Sequence, residues 1–356
     1  LDRGEDSLAA RIGVDAQAIA WARIDPGFAS VAPLARVDAF CAGGHPWFVE
    51  LNAESPTGMG YADALDRVFA TDPAWPSAGA LRTFDPAGAA VRTTRDIARA
   101  WGHRQRRLVV AIVDRPGVAT YPEFVLLRDR FRGAGHACEI VAPADLRFDG
   151  DRLTAGDLRI DVVFRRILVA DLRAAPADGE ALLAAYRAGR VCMVNSLRTA
   201  LLHGKGLFAL LHDPAFALGA ADRAFVARHI PWTGLLLGRA GDALRERALR
   251  DPDGWALKPL DGHGGHGVVL GWTSTFRDWS DAVARADRHV LQRRIPEEHA
   301  AFWDARDERV HDRLVDVGPF LARGRLAGFL CRAAEGALAN VTAGGASQVP
   351  VFVDAA

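Results

Sequence analysis

Apolar runs separated by short polar, glycine-bearing segments dominate the middle of this chain. RLVVAIVD, residues 107–114, is almost purely hydrophobic and reads as a strand buried on both faces. The helical pattern PEFVLLRDRFRGAG follows, and then the strand CEIVAP. FDGDRLTAGDLRIDVVFRR gives a short hairpin and a further buried strand. Strand–helix–strand order predicts a parallel sheet of doubly wound type. No GxGxxG follows the first strand, so the dinucleotide-binding fingerprint is absent.

On either side of this block the pattern changes. Residues 1–30 and 60–72 read as helical, the Pro/Gly-rich residues 73–95 as loop, and residues 96–107 as another helix. Residues 35–52, ARVDAFCAGGHPWFVELN, read as two strands turning at Gly43-Gly44. Residues 178–212 are helical with a break at HGKG. The last third opens with WALKPLDGHGGHGVVLGW, a strand, a glycine-rich loop and a second strand. A helix (DWSDAVARAD), the strand HVLQRRI, the strand pair RLVDVGPFLARGRLAGFLCRA and the loop ANVTAGGAS complete it.

The chain has 356 residues, which suits two or three lobes sharing a cleft better than one small core. Lys plus Arg equals Asp plus Glu at 44 each, so no global field draws nucleic acid or an anionic membrane. Cys41, Cys138, Cys192 and Cys331 are scattered without CxxC or disulfide-like spacing, which fits a reducing cytoplasm. No apolar run approaches the roughly 18 residues of a membrane span. The first twenty residues are charged throughout, unlike a signal peptide, and the absence of a methionine before Leu1 leaves room for an upstream segment.

One bias shapes the chemistry. Of the basic residues only Lys205 and Lys258 are lysine; all others are arginine. A position that breaks such a bias points to a need for a compact ammonium. Lys258 ends an apolar strand and is followed by Asp261 and by Gly262, Gly264, Gly265 and Gly267, whose backbone N–H groups can cradle a phosphate. A tight β-hairpin is the structural alternative. Lys205 sits in HGKG, where the alternative is a helix-end cation. The strand edge Gln292–Ile295, with Arg294 between, offers backbone pairing to an adenine, and Glu297 or Glu298 an acceptor for ribose hydroxyls. Asp38 falls roughly opposite Glu50 in the first hairpin, and Glu50 and Asn52 face one side, so three oxygen donors share a patch that suits Mg²⁺. Arg332 emerges from an apolar strand before Asn340, Thr342 and Gly344-Gly345, placed either to stabilise phosphoryl charge or to make a structural salt bridge.

Together these segments resemble the ATP-grasp superfamily, in its circularly permuted branch that contains eukaryotic-type glutathione synthetase. The R-x-D…E-x-N-x-x-S pattern is carried by Arg36, Asp38, Glu50, Asn52 and Ser55. VVFRR (Arg165, Arg166) is similar to the strand bearing a substrate arginine, HGKG to the first nucleotide lysine, LKPLDGHGGHG to the loop with the second, and FLCRA…TAGGAS to the terminal substrate and phosphate loop. The resemblance implies an α+β ATP-grasp fold with an inserted α/β parallel-sheet lobe. It divides the chain into 1–100 (helices plus metal-binding hairpin), 101–200 (α/β substrate lobe) and 201–356 (nucleotide lobes). It implies ATP and two Mg²⁺ ions, an acyl phosphate formed at the γ-phosphate, and its capture by an amine: an ATP-dependent carboxylate–amine ligase for small molecules. In that reading Lys205 and Lys258 hold phosphates, Asp38, Glu50 and Asn52 hold metal, Arg332 stabilises the reacting centre, and Arg36, Ser55 and Arg165 grip the acceptor. The branch places an acid inside its glycine-rich loop; here the nearest is Asp261, flanked by His263 and His266, and Asp38 or Asp316 stand as substitutes. A nucleotide-binding protein that has lost ligation, and a phosphotransferase, are the rival readings.

Overall fold

A computed structural model of the chain describes residues 11–73, 81–262, 265–304, 306–337 and 345–354. Helix α1, Ala16–Ala22, is capped by Asp15, whose carboxylate accepts from the Gln17 N–H at 2.8 Å. Among the described residues of 1–30 it is the main helix, shorter than the pattern suggests. Strands β1 (Leu34–Ala42) and β2 (His45–Asn52) form the expected hairpin, with Gly43 and Gly44 at φ 58° and 74°, a turn geometry that favours glycine. Helix α2 spans Met59–Phe69.

Helix α3 runs Pro86–Trp101 and corrects the reading of residues 73–95 as loop and 96–107 as helix. Proline is favourable at the first helical position, and Asp85 accepts from the Gly88 N–H at 3.0 Å, so the Pro/Gly segment starts a helix. Gly102, at φ 126°, ends it, and residues 102–107 are not helical.

Strand β3 (Val109–Val113), helix α4 (Tyr121–Gly133), β4 (Ala137–Val141), β5 (Val162–Arg165) and β6 (Cys192–Val194) build the α/β lobe. Its sheet is parallel in the order β6-β5-β3-β4. Strand β6 lies inside the stretch expected to be helical. Three buried residues are too few for a periodicity to show. Helices α5 (Ala200–His203) and α6 (Gly206–Leu211) flank Lys205.

The next unit holds α7 (Ala220–His229), β7 (Thr233–Leu236), α8 (Asp242–Arg250), β8 (Trp255–Pro259), β9 (Val269–Leu270), α9 (Phe276–Arg285) and β10 (His289–Arg293). Its antiparallel sheet has the order β7-β10-β8-β9. The chain ends with β11 (His299–Asp304), β12 (Arg309–Ala322), β13 (Arg325–Ala334) and β14 (Ala346–Val349). These strands join the first hairpin in one sheet, β14-β13-β12-β1-β2, with β11 paired to the outer half of β12.

One end of that sheet is apolar. Leu34, Phe320 and Leu330 pack with Ala90 and Val91 of α3 and with Val110 and Ile112 of the parallel sheet in a single core. Farther along the same face the side chains are polar, and that end meets the β7–β10 unit across a cleft. Among the described residues no helix is long and apolar enough to cross a membrane.

Candidate functional site

The polar patch begins with the hairpin. Asp38 pairs across from Glu50, and Asn52 donates from Nδ2 to Asp38 Oδ1 at 3.1 Å. The register then steps to Ala39 opposite Phe48, leaving Val49 as the extra residue of a β-bulge. On the neighbouring strand Asp316 pairs with Phe40 on one side and with Arg332 on the other. Period-two alternation therefore puts residues from four strands on one patch.

Arginines bind this patch together. Arg332 donates to Asp316 from Nε (3.1 Å) and Nη2 (2.6 Å) and to Asp38 Oδ2 from Nη2 at 3.0 Å. Arg36 grips Asp38 from the other side through Nε at 2.6 Å and Nη2 at 3.1 Å, while its Nη1 donates to the Thr57 carbonyl. Burial alone would raise the Asp38 carboxyl, but the Arg36 and Arg332 guanidiniums hold it well below the usual range. Asp316 is shifted the other way: burial, reinforced by the neighbouring Asp38 charge, outweighs Arg332.

The two lysines approach from the opposite wall. Lys205 Nζ donates to Glu50 Oε1 at 3.1 Å and to the Gly262 carbonyl, and its backbone N–H bonds the Leu260 carbonyl at 3.3 Å. Lys258 Nζ donates to Gln292 Oε1 at 2.6 Å. Burial lowers the Lys258 ammonium to about 8 despite the opposing charge of Glu50.

Between the walls lies an open cleft with about 1040 Å³ of empty space, part of it continuous with bulk solvent. Arg36, Asp38, Glu50, Asn52, Lys258, Gly265, Gln292, Arg294, Ile295, Asp316 and Arg332 all line it. Lys205 adjoins it in a smaller cavity shared with Glu50, Lys258 and Gln292. Apolar walls come from Val268, Leu270, Trp272, Phe40 and Leu314, which sequence reasoning missed. Phe40 was reachable by counting two from Asp38; Trp272 was not, because only the return of the chain after the glycine loop brings it back. The Arg294 guanidinium stacks 4.6 Å from the Trp272 ring centroid.

Several expected residues lie elsewhere. Arg165 is corrected from the cleft wall to the interior. Its side chain is fully buried, paired to Glu54 at 2.8 Å, and donates also to the Asn195, Ile167 and Ser196 carbonyls and to Thr199 Oγ1. With every guanidinium nitrogen engaged it has no donor left for an acceptor. Ser55 does not line the cleft, and its carbonyl accepts from Thr57 Oγ1 at 3.2 Å. Glu297 lines the cleft, whereas Glu298 turns outward and accepts from the Gly43 N–H at 3.1 Å. Asp261 is exposed and faces Arg288 at 3.2 Å, so of the substitute acids Asp38 and Asp316 are the ones in the cleft. Gly262 supplies its carbonyl to Lys205, and Gly267 adopts φ 72° beside the cleft. Gly264 and His263 in the glycine loop, and Asn340, Thr342 and Gly344 in the terminal loop, lie outside the described residues.

The donor set tests the site for a metal. Asp38, Glu50, Asn52 and Asp316 offer oxygen only, the preference of a hard divalent cation such as Mg²⁺. Asp38, Glu50 and Asp316 do not bring three carboxylate oxygens within 4.8 Å of one another, and Arg36, Arg332 and Lys205 counter their charges, so the chemistry of the donors suits such a cation while their present pairing does not: a cation here would displace those contacts.

Two antiparallel sheets meeting at such a cleft, with a parallel-sheet lobe packed behind one of them, match an ATP-grasp architecture. Residues 33–342 match the family described as circularly permuted ATP-grasp type 2, and the chain belongs to that family. It is similar to a glutathione synthetase-like effector of Globodera pallida solved in apo form: TM-score 0.55, 11% identity, 92% of this chain and 79% of that one. It is similar also to a Methylobacillus flagellatus protein named, by inference, as a gamma-glutamylcysteine synthetase: TM-score 0.54, 15% identity, 97% and 86% covered. A Frankia alni protein, named by inference as glutamate–cysteine ligase 2-3, is 31% identical over 173 residues. That match takes in 46% of this chain and 19% of the length of the relative.

Proposed function

We propose that this chain is an ATP-dependent carboxylate–amine ligase acting through an acyl phosphate, on substrates of the amino-acid or small-peptide class. The observation that carries the reading is convergence. The only two lysines, the Asp38/Glu50/Asn52 oxygens and Arg332 surround one cleft although they are scattered from residue 38 to residue 332. Family membership and the ligase names of two relatives support it.

The residues divide the work by charge. Lys205 and Lys258 meet the phosphates as compact ammoniums, and backbone N–H groups of the glycine-rich segment, among them those of Gly265 and Gly267, are available to them. The strand edge Gln292–Ile295 with Arg294 receives the base, against Leu270 and Trp272. Asp38, Glu50 and Asn52, with Asp316 beside them, are the residues that would hold Mg²⁺, which would supply neutralisation of phosphate charge. The substrate carboxylate oxygen attacks the γ-phosphorus and ADP leaves; an amine then attacks the acyl carbon and phosphate leaves. Arg332, with Arg36 behind it, stabilises the negative charge that builds at each stage.

An ADP-release screen over amino acids, polyamines and small peptides, with mass detection of the condensed product, tests the reading. A product lighter by one water than its two substrates together, lost in Lys258→Ala, is the expected result. A phosphorylated product without an amide identifies a phosphotransferase, and tight ATP binding with no turnover across the panel identifies a binding protein.

A further inference from the structure

We propose that Gln292 is a positioning residue: its amide fixes the Lys258 ammonium and ties it to the bulged strand that carries Glu50 and Asn52. The proposal deepens the reading of the cleft as a nucleotide site and rests on it only for what Lys258 touches.

Strands β8 and β10 pair Lys258 with Val290 and Ala256 with Gln292. Gln292 is thus the diagonal neighbour of Lys258 on the same face of the sheet. An ammonium only donates, so the bond from Lys258 Nζ settles which end of the amide is oxygen. The Gln292 Nε2 must then face the other way, where it donates to Thr233 Oγ1 at 3.2 Å and to the Val49 carbonyl at 3.3 Å. Gln292 is only 3% exposed, and Thr233 is itself turned by its bond to the Pro231 carbonyl at 2.9 Å.

The Val49 contact is what lifts this above a satisfied core amide. Val49 is the extra residue of the β-bulge, the position on β2 without a cross-strand partner on β1. Its carbonyl is therefore open to a donor from the other sheet. The next residue is Glu50. One amide consequently registers the lysine of the nucleotide sheet against the carboxylate of the hairpin, across the cleft that both line. A flexible four-carbon side chain gains one defined position, and that position follows the hairpin.

Because the chain has only two lysines, acetylation of the full-length protein by a small N-hydroxysuccinimide ester, read by mass spectrometry, reports Lys258 with Lys205 as internal reference. Gln292→Leu removes all three contacts; the expected Lys258 to Lys205 labelling ratio rises about tenfold, and ATP affinity falls about tenfold. Gln292→Glu keeps a partner for Lys258 but sets a carboxylate against the Val49 carbonyl. Its labelling ratio falls below wild type, and the Mg²⁺-dependent part of its ATP affinity is lost while the Mg²⁺-free part remains. Should Gln292→Leu fail to fold, the Gln292→Glu arm decides alone. Labelling ratios within about twofold of wild type in the folded variants overturn the proposal. Wild-type protein that binds no Mg-ATP overturns the nucleotide reading instead, and the ligand-free labelling still decides the role of Gln292.

Discussion

Lys258 sits where burial opposes its own charge, and that has a measurable consequence. Its folded value of about 8 lies below that of an exposed lysine, so in the ligand-free protein the ammonium is largely neutral above that pH. The ligand-free fold gains stability from this group as pH rises through about 8, because the unfolded chain binds the extra proton. A triphosphate reverses the preference. ATP binding at about pH 9 is expected to take up close to one proton, falling toward zero near pH 6.5, as calorimetry in buffers of different ionisation enthalpy would read. Absence of uptake at the higher pH would place the phosphates away from Lys258. Arg165 supplies the opposite case. Arg165→Met leaves Glu54 buried and uncompensated, so unfolding in denaturant is expected to show a loss of roughly 3–5 kcal/mol. Nucleotide affinity of the folded fraction is unchanged in this account. Normal stability with weakened acceptor binding would return Arg165 to the substrate role.

At the scale of elements, the hairpin was legible because strand alternation is strict: Asp38, Glu50 and Asn52 share a face by counting twos. The bulge at Val49 was not, since one inserted residue leaves no hydrophobic signature. Helix α3 was hidden by its own start signal, a Pro-Ala-Gly segment that also reads as a turn, and β6 by its length. Packing across strands is equally invisible to a local pattern. Gly318, between Arg36 and the Leu330 carbonyl, shows this: an added Cβ would meet Arg36 Cδ at 3.3 Å. Arg36 cannot yield freely, because Asp38 and Thr57 hold its guanidinium. Gly318→Val is therefore expected to cost about 1–3 kcal/mol in thermal unfolding and to weaken Mg-ATP binding with it. Unaltered binding in that variant would show that Arg36 is not needed in its observed position.

For the whole molecule, the cleft is a meeting of two sheets, tied directly by Gln292 to Val49 and indirectly through Lys205, which bonds Glu50 on one side and Leu260 on the other. A ligand gripping both walls adds its binding energy to the fold. At a hundredfold excess over Kd, Mg-ATP is expected to stabilise the chain by about 2.7 kcal/mol, visible as a raised melting temperature that Lys258→Ala abolishes. A shift of equal size in that variant would mean the nucleotide binds elsewhere. The ordered set of motifs made the architecture readable from the sequence, whereas the interior burial of Arg165 and the outward turn of Glu298 required three dimensions.

The sheet that holds the site is stitched from strands within residues 34–52 and 299–349, with most of the chain looped between them. A ribosome must therefore deliver almost the entire polypeptide before the first hairpin finds its neighbours, and the early strands wait with their polar patch unassembled. Nascent chains halted before β12 carry Asp38, Glu50 and both lysines yet hold no cleft. Such fragments lack Asp316 and Arg332 and are expected to show no nucleotide binding in an equilibrium assay.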